Sequence, residues 1–138
     1  MSYRILVIDG QGGNLGCQLI KLINEQLSNV EIHAVGTNSM ATSNMLKTGT
    51  VMAATGENAV IVGCRKADII VGPIGIVIAD ALMGEITPEM AKAVGQSNAK
   101  RVLIPVNKCD TLIAGIENIP MTKLLQDAVD KIRMLITQ

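Results

Sequence analysis

The stretch "VIDGQGGNLG" (residues 7–16) constrains the fold of this chain more than any other. An apolar run ends at Asp9, four glycines follow between residues 10 and 16, and an amphipathic segment begins at Asn14. Glycines in such a turn allow a tight reversal and let another group approach the backbone closely. The free N–H groups at the start of the next helix attract anions. The stretch therefore predicts a strand, a glycine-rich turn and a helix that form an anion-binding loop.

The rest of the chain alternates between strand and helix patterns. Residues 3–9 read as a strand covered on both faces, and an apolar stripe at helical spacing predicts a helix over 14–27. Further strands are expected at 29–36, 68–72 and 101–106, and further helices at 39–49, 56–67, 76–83, 87–97 and 121–136. Residues 50–55 fit either a short strand or a loop.

Three details complete this prediction. Thr55 and Thr87 are candidate N-caps for the helices that follow them, and "GPIG" (72–75) is expected to form a turn. Residues 111–116 are predicted to return as an antiparallel edge strand. The sequence thus predicts one α/β domain over 1–138: a three-layer, Rossmann-like sandwich whose mostly parallel sheet carries an antiparallel edge hairpin.

Composition excludes several partners. The chain has one Tyr and neither Phe nor Trp, so stacking on nucleobases is not expected. Twelve basic and twelve acidic residues cancel, which leaves no basic field for a nucleic acid backbone. An apolar fraction of 49% at zero net charge favours a homo-oligomer.

The cysteines and the longest apolar stretch bear on location. The three cysteines form no CxxC pair and no secretory signal precedes the first strand, which favours the cytoplasm. With His33 alone in a strand pattern, no zinc site is expected. Residues 67–84 are mostly apolar, but Gly72-Pro73, Asp68 and Asp80 favour a buried strand, a turn and a helix over a membrane span.

Ligands of such sheets bind outside the carboxyl ends of the strands. That edge should gather the segments 9–16, 36–39, 72–75 and 107–110. The phosphate turn would use Gly10, Gln11, Gly12, Gly13, Asn14, Leu15 and Gly16, the sugar would contact Thr37 and Asn38, and Gly72, Pro73, Asn107 and Asp110 would line the remainder. The expected ligand is a phosphorylated small molecule.

The glycine spacing resembles the dinucleotide-binding turn of reductases, which implies NAD(P) or another nucleotide as cofactor. The sequence departs from the usual dinucleotide-binding pattern in two places. Leu15 replaces a glycine of the usual G-x-G-x-x-G pattern, and the second strand ends in "VGTNS" without the acid that holds the ribose hydroxyls. Asp9 would repel a phosphate unless its carboxylate faced away or Mg²⁺ bridged the two groups, and the Mg²⁺-assisted site is the less favoured alternative.

A second motif lies at the same edge. "VLIPVNKCD" (102–110) resembles the guanine-reading strand of GTPases, with Asn107, Lys108 and Asp110 matching N-K-x-D. The phosphate-loop Lys-Ser/Thr pair is missing after Gly16, so no GTP hydrolysis is expected. A polar turn explains the same residues and is the preferred interpretation.

The residues identify no reaction. Cys17 lies where a helix dipole lowers a thiol pKa, and Cys109 lies beside Lys108, but neither has an obvious base. Three hypotheses stay open: nucleotide binding at the turn, a non-enzymatic oligomeric sensor or scaffold, and metal-assisted phosphate transfer or hydrolysis through Asp9. Gly13→Asp is expected to abolish ligand binding without unfolding the chain.

Five stretches together resemble a small bacterial family: "VIDGQGGNLG", "GTNSMATSNMLKTG", "ATGENAVIV", "ADIIVGPIGIVIADALMGEITPEMA" and "VLIPVNKC". This is the family called domain of unknown function thirty-eight forty-two. The resemblance spans nearly the whole chain. It implies a stand-alone unit of about this length and brings no activity, substrate or catalytic residue.

Overall fold

A computed structural model describes residues 2–50, 52–106 and 110–137. Its five strands are β1 (Tyr3–Asp9), β2 (Val30–Gly36), β3 (Met52–Thr55), β4 (Ile69–Pro73) and β5 (Lys100–Ile104). They form one sheet in the order β3-β2-β1-β4-β5, and all four pairings are parallel. The predicted α/β fold with a mostly parallel sheet is confirmed, and the ambiguous residues 50–55 contain a short edge strand.

The helices cover both faces of this sheet. They are α1 (Asn14–Gln26), α2 (Ser39–Leu46), α3 (Glu57–Lys66), α4 (Pro88–Gln96) and α5 (Met121–Ile136). Ile5 and Val7 of β1 point into a core with α1, α2 and α5, whereas Leu6 and Ile8 point into a second core with α3 and α4. Because β1 is buried on both faces, its sequence is a continuous apolar run rather than an alternating one.

The start of α4 follows its sequence signals, and the start of α3 does not. Thr87 caps α4, since its Oγ1 accepts a hydrogen bond from the Met90 N–H at 3.1 Å. The predicted Thr55 cap of α3 is wrong. Gly56 occupies the N-cap position, and the Thr55 hydroxyl instead forms a hydrogen bond with the Thr42 hydroxyl.

The segment that follows β4 departs from the prediction. "GPIG" is not a separate turn, because Gly72 and Pro73 belong to β4 and pair with β5. A short 3₁₀ helix spans Ile74–Val77, and the predicted helix over 76–83 is wrong. Residues 78–86 form an irregular loop, here called the 78–86 loop, in which Asp80 and Leu82 have positive φ angles that a right-handed helix does not allow.

The expected antiparallel edge hairpin is also absent from the described part of the chain. Residues 111–116 form no strand, and Leu112 is 93% exposed. Gly115 has a φ of +83°, which interrupts an extended conformation. The apolar composition of "TLIAGI" predicted a strand, but no neighbouring strand pairs with it.

No helix within the described ranges is both long and apolar enough to span a membrane.

Candidate functional site

The glycine-rich turn lies at the carboxyl end of β1, the central strand of the sheet. Gly13 is the N-cap of α1 in a left-handed conformation with φ +75°, and its N–H donates to the Gly10 carbonyl at 2.9 Å. A Cβ on Gly13 would lie 2.9 Å from the Ala41 carbonyl oxygen, so a side chain there meets both strain and crowding. The expected tolerance of Gly13→Asp by the fold is therefore wrong.

Gly12 is the open position of the turn. A Cβ on Gly12 would have no heavy atom within 4 Å. Within the described chain, the amide N–H groups of Gly12, Asn14 and Leu15 have no hydrogen-bond partner. Gly12 and Asn14 are exposed. The turn therefore presents a free face with amide donors at the start of a helix, an arrangement that suits an anion.

Asp9 closes the inner side of the turn. Its side chain is only 4% exposed, and its two carboxylate oxygens accept hydrogen bonds from the Gly10 and Gly16 N–H groups, each at 2.8 Å. Burial raises the pKa of Asp9, the two amide hydrogen bonds oppose this effect, and the negative charge of Glu85 adds to it. Asp9 thus ties the end of β1 to the first turn of α1.

Glu85 is the site residue that sequence reasoning missed. It reaches from the 78–86 loop to the glycine turn and to the end of β2. Its Oε1 atom accepts hydrogen bonds from the Gln11 N–H at 2.9 Å, the Thr37 hydroxyl at 2.5 Å and the Asn38 side-chain amide at 2.9 Å. The carboxyl is partly buried, which acts to raise its pKa, but the three hydrogen bonds outweigh burial and hold the pKa below its ordinary value.

The second oxygen of this carboxylate has no such partners. Among the described residues no group donates to Oε2 of Glu85, and this atom is not enclosed by protein. Glu85 therefore keeps one carboxylate oxygen available as an acceptor beside the turn. The hydrogen bonds to its other oxygen fix the orientation of the side chain. The sequence offered only a weak signal, a single acid after Gly84, and the segments expected at this edge did not include it.

The backbone that carries Glu85 is unusual. Asp80, Leu82 and Met83 have φ angles of +67°, +56° and +56°, and Gly84 follows at +88°. Left-handed backbone at residues other than glycine costs about 1–3 kcal/mol each and persists only where the surrounding structure holds it. The loop is anchored by Ala81 and Ile86, both fully buried, and by a 3.1 Å hydrogen bond between the Ile86 N–H and the Ala81 carbonyl.

Thr37 and Asn38 lie where the sequence placed them, but their polar groups have internal partners. Besides Glu85, the Asn38 side chain donates to the Gln11 carbonyl at 2.8 Å and accepts from the Ala41 N–H at 2.9 Å, so it also caps α2. Both side chains therefore hold the carboxylate of Glu85, and their contact with a sugar stays a prediction.

Three of the turn's glycines are required by packing. A Cβ on Gly10 would lie 2.5 Å from the Thr37 hydroxyl oxygen and 2.8 Å from Glu85 Oε1, and one on Gly16 would lie 2.5 Å from the Met45 sulfur. Gly13 is fixed by its φ angle. Only Gly12 has no neighbour that excludes a side chain.

The other predicted site residues lie in β4, in an exposed turn or outside the described part. Gly72 and Pro73 are buried strand residues, and a Cβ on Gly72 would lie 2.4 Å from the Ile8 carbonyl oxygen. Asn107, like Lys108 and Cys109, lies outside the described residues. Asp110 is an exposed turn residue with φ +58°.

Neither a reactive thiol nor a metal cluster emerges from the described ranges. Burial and the charge of Asp9 raise the pKa of Cys17, and nearby Lys21 only partly opposes them, so the helix start does not activate this thiol. No group of three or more His, Cys, Asp or Glu residues in the described chain is arranged to hold a metal ion.

Comparisons with known proteins place the chain in a family without a known activity. No curated protein matches it significantly. Among solved structures, a dodecameric FMN-dependent UbiX-like decarboxylase from Escherichia coli O157:H7 is 15% identical over 99% of this chain and 95% of that chain, with a TM-score of 0.45. A likeness this distant carries no inference about function. Residues 4–137 match the family model described as "Domain of unknown function (DUF3842)". The chain belongs to the DUF3842 family.

Proposed function

We propose that this protein binds a nucleotide-type, phosphorylated small molecule at the carboxyl edge of its sheet. The observation that carries this proposal is the open face of the glycine turn, where the unpartnered N–H groups of Gly12, Asn14 and Leu15 lie at the start of α1. A phosphate there would accept hydrogen bonds from backbone amides and gain from the helix dipole.

The position within the sheet supports the same proposal. The chain leaves β1 toward β2 on one side, whereas β4 is the neighbour on the other side. This change of direction creates a crevice outside the carboxyl ends of the strands, where ligands of open α/β sheets bind. The proposed class includes NAD(P) and mononucleotides, and the geometry of the turn alone favours neither.

A dye-based thermal shift screen tests this proposal. The panel is NAD⁺, NADP⁺, ATP, GTP, FMN, coenzyme A and sugar phosphates, each with and without Mg²⁺. A ligand at a hundred times its Kd adds about 2.7 kcal/mol to the free energy of unfolding, which raises Tm by several degrees.

Gly12→Asp is the matched variant for this screen. The site has room for the new side chain, so the fold should tolerate it, while its negative charge would repel a phosphate. We expect the wild-type shift to disappear in Gly12→Asp and to persist in Gly12→Ala. If no compound in the panel raises Tm, the proposal is wrong.

A second candidate function is self-assembly into a sensor or scaffold. The α3 side of the β2–β3 edge carries an open groove of about 300 Å³. It is lined mainly by small apolar side chains and by Met52, together with Arg4, His33 and Lys66. Met52 is 60% exposed on the edge strand β3. An exposed edge strand next to an apolar face favours pairing with another chain.

The third hypothesis, metal-assisted chemistry through Asp9, gains no support from the geometry. Both Asp9 oxygens already accept backbone hydrogen bonds, and the side chain is nearly fully buried. Metal titration of Asp9→Asn checks it directly, because a metal site at Asp9 would lose its affinity in this variant.

A further inference from the structure

We infer that Glu85 makes this site selective for an unmodified ribose, so that the ligand is a ribonucleotide with a free 2′-hydroxyl group. This inference rests on the nucleotide binding proposed above and specifies the ligand's sugar. In dinucleotide-binding folds of this type, an acid at the end of the second strand accepts hydrogen bonds from the ribose. Here Thr37 and Asn38 follow the end of β2, and the carboxylate at that place comes from a different segment.

The free oxygen of the Glu85 carboxylate determines which kind of ligand group can bind beside it. Three donors saturate Oε1 and hold the carboxylate against both the glycine turn and the end of β2. Oε2 has no partner among the described residues and is not enclosed. An ionised carboxylate accepts hydrogen bonds and cannot donate them. A ligand group at Oε2 must therefore be a donor, such as a hydroxyl.

The negative charge around Glu85 disfavours a ribose that carries a 2′-phosphate. A 2′-phosphate would meet the negative charge of Glu85 directly. The Asp9 carboxylate lies close enough to Glu85 for their charges to interact, so the negative charge of this region comes from both residues. No Arg or Lys among the described residues forms an ion pair with Glu85 or Asp9 that would neutralise this charge. The site should thus prefer NAD⁺ over NADP⁺ and ADP over 2′-deoxy-ADP.

The 78–86 loop gives a second reason to assign a function to Glu85. Its backbone holds three non-glycine residues, Asp80, Leu82 and Met83, in the left-handed region within the five residues before Glu85. Such conformations cluster at ligand clamps and active sites, where a specific placement is maintained despite its energetic cost. The side chain that this backbone delivers is an acid beside the turn proposed to bind phosphate.

Isothermal titration calorimetry of wild type with ADP, 2′-deoxy-ADP, NAD⁺ and NADP⁺ tests the inference. Loss of one hydrogen bond to a charged acceptor weakens binding by about tenfold or more, so ADP should bind at least that much more tightly than 2′-deoxy-ADP. We expect a similar preference for NAD⁺ over NADP⁺ because the 2′-phosphate is repelled.

Glu85→Gln provides a nearly isosteric comparison. The carbonyl oxygen of Gln can still accept from Gln11, Thr37 and Asn38, whereas its amide group now donates where Oε2 accepted. In this variant the hydrogen bond to the 2′-hydroxyl is no longer charge-assisted, so the preference for ADP over 2′-deoxy-ADP should fall, and NADP⁺ should gain affinity relative to NAD⁺. Glu25→Gln, an exposed change on α1 away from this edge, is the control and should keep the wild-type preferences.

Each other outcome is informative. Equal binding of ADP and 2′-deoxy-ADP by wild type would overturn the ribose inference and leave nucleotide binding intact. Tighter binding of every nucleotide by Glu85→Gln would mean that Glu85 obstructs the site, which also overturns it. If none of the four compounds binds, the inference falls, and the wider thermal shift panel decides the proposed function.

Discussion

At the scale of single residues, two carboxylates organise the carboxyl edge of this sheet. Asp9 lies beneath the glycine turn and Glu85 lies beside it, and each accepts backbone hydrogen bonds from the turn. Their environments shift the two pKa values in opposite directions, upward for Asp9 and downward for Glu85. The two residues should therefore respond differently to substitution and to pH.

Asp9→Asn should destabilise the protein. One carboxylate oxygen becomes an NH₂ group that faces a backbone N–H, so a buried donor loses its acceptor, which costs about 1–3 kcal/mol. Urea unfolding monitored by circular dichroism measures the difference in the free energy of unfolding. Asp127→Asn, exposed on α5, is the control and should change it by less than about 0.5 kcal/mol. An unaltered stability of Asp9→Asn would contradict the role of Asp9 as a tie between β1 and α1.

Glu85 should stabilise the fold at neutral pH and lose this effect in acid. Its pKa in the folded state lies below the ordinary value of 4.5, so folding favours the ionised form. The contribution is present above pH 4.5 and disappears as the pH falls through the lower folded pKa. Wild type should exceed Glu85→Gln in Tm at pH 7, and the gap should close on acidification below pH 4.5. A gap that widens in acid would refute the direction of this shift.

At the scale of elements, the sequence predicted segments whose signals are local and failed where tertiary contacts decide. The apolar stripe from Leu124 to Ile136 predicts α5 at its observed bounds, and Thr87-Pro88 predicts the start of α4. The 78–86 loop has the apolar composition of a helix, but its residues are held in left-handed turns by the cores around Ala81 and Ile86.

The candidate site was likewise predicted where its signals are local and missed where tertiary contacts decide. The glycine turn follows from "DGQGGNLG", because strand, turn and helix are adjacent in sequence. The contacts of Glu85 join residues 74 and 48 positions apart, and no local pattern encodes such pairs. Residues 111–116 show the reverse problem, since a strand-like composition has no partner strand beside it.

The cap of α4 joins two helices, and its loss should be measurable. Thr87 accepts from the Met90 N–H and donates to Glu57 of α3 at 2.5 Å. Thr87→Ala should lower the free energy of unfolding by about 0.5–2 kcal/mol, as expected for a lost N-cap. Denaturant unfolding measures this loss, Thr87→Ser should restore most of it, and Ser43→Ala on the exposed side of α2 is the control. Equal stabilities of Thr87→Ala and Ser43→Ala would argue against the cap.

At the scale of the whole molecule, the two faces of the sheet are covered unequally. The first face packs against α1, α2 and α5, whereas on the second face the region of β2 and β3 beside α3 stays open as the groove that Met52 lines. We expect this region to bury itself against a second copy of the chain, because an apolar groove next to an unpaired edge strand favours association.

Met52→Lys should weaken this association. A charge placed on the exposed edge strand would have to be desolvated in an interface, so the population should shift toward monomer. Sedimentation velocity over a range of concentrations measures the shift. Met134→Lys is the control, since Met134 is similarly exposed, at 56%, but lies on α5 across the sheet. A wild-type protein that sediments as a monomer at every concentration would contradict the expectation.

The hydrogen bond between Glu85 and Gln11 joins residues far apart in sequence, which affects when this edge can form during protein synthesis. The Gln11 N–H and its acceptor are separated by 74 residues, so the glycine turn emerges from the ribosome long before its partner. At about 5–20 residues per second, the delay amounts to roughly 4–15 s. During that interval β1 and α1 can form, but the open turn lacks the carboxylate that orders it. The edge proposed to bind the ligand is therefore completed only after the 78–86 loop has been synthesised.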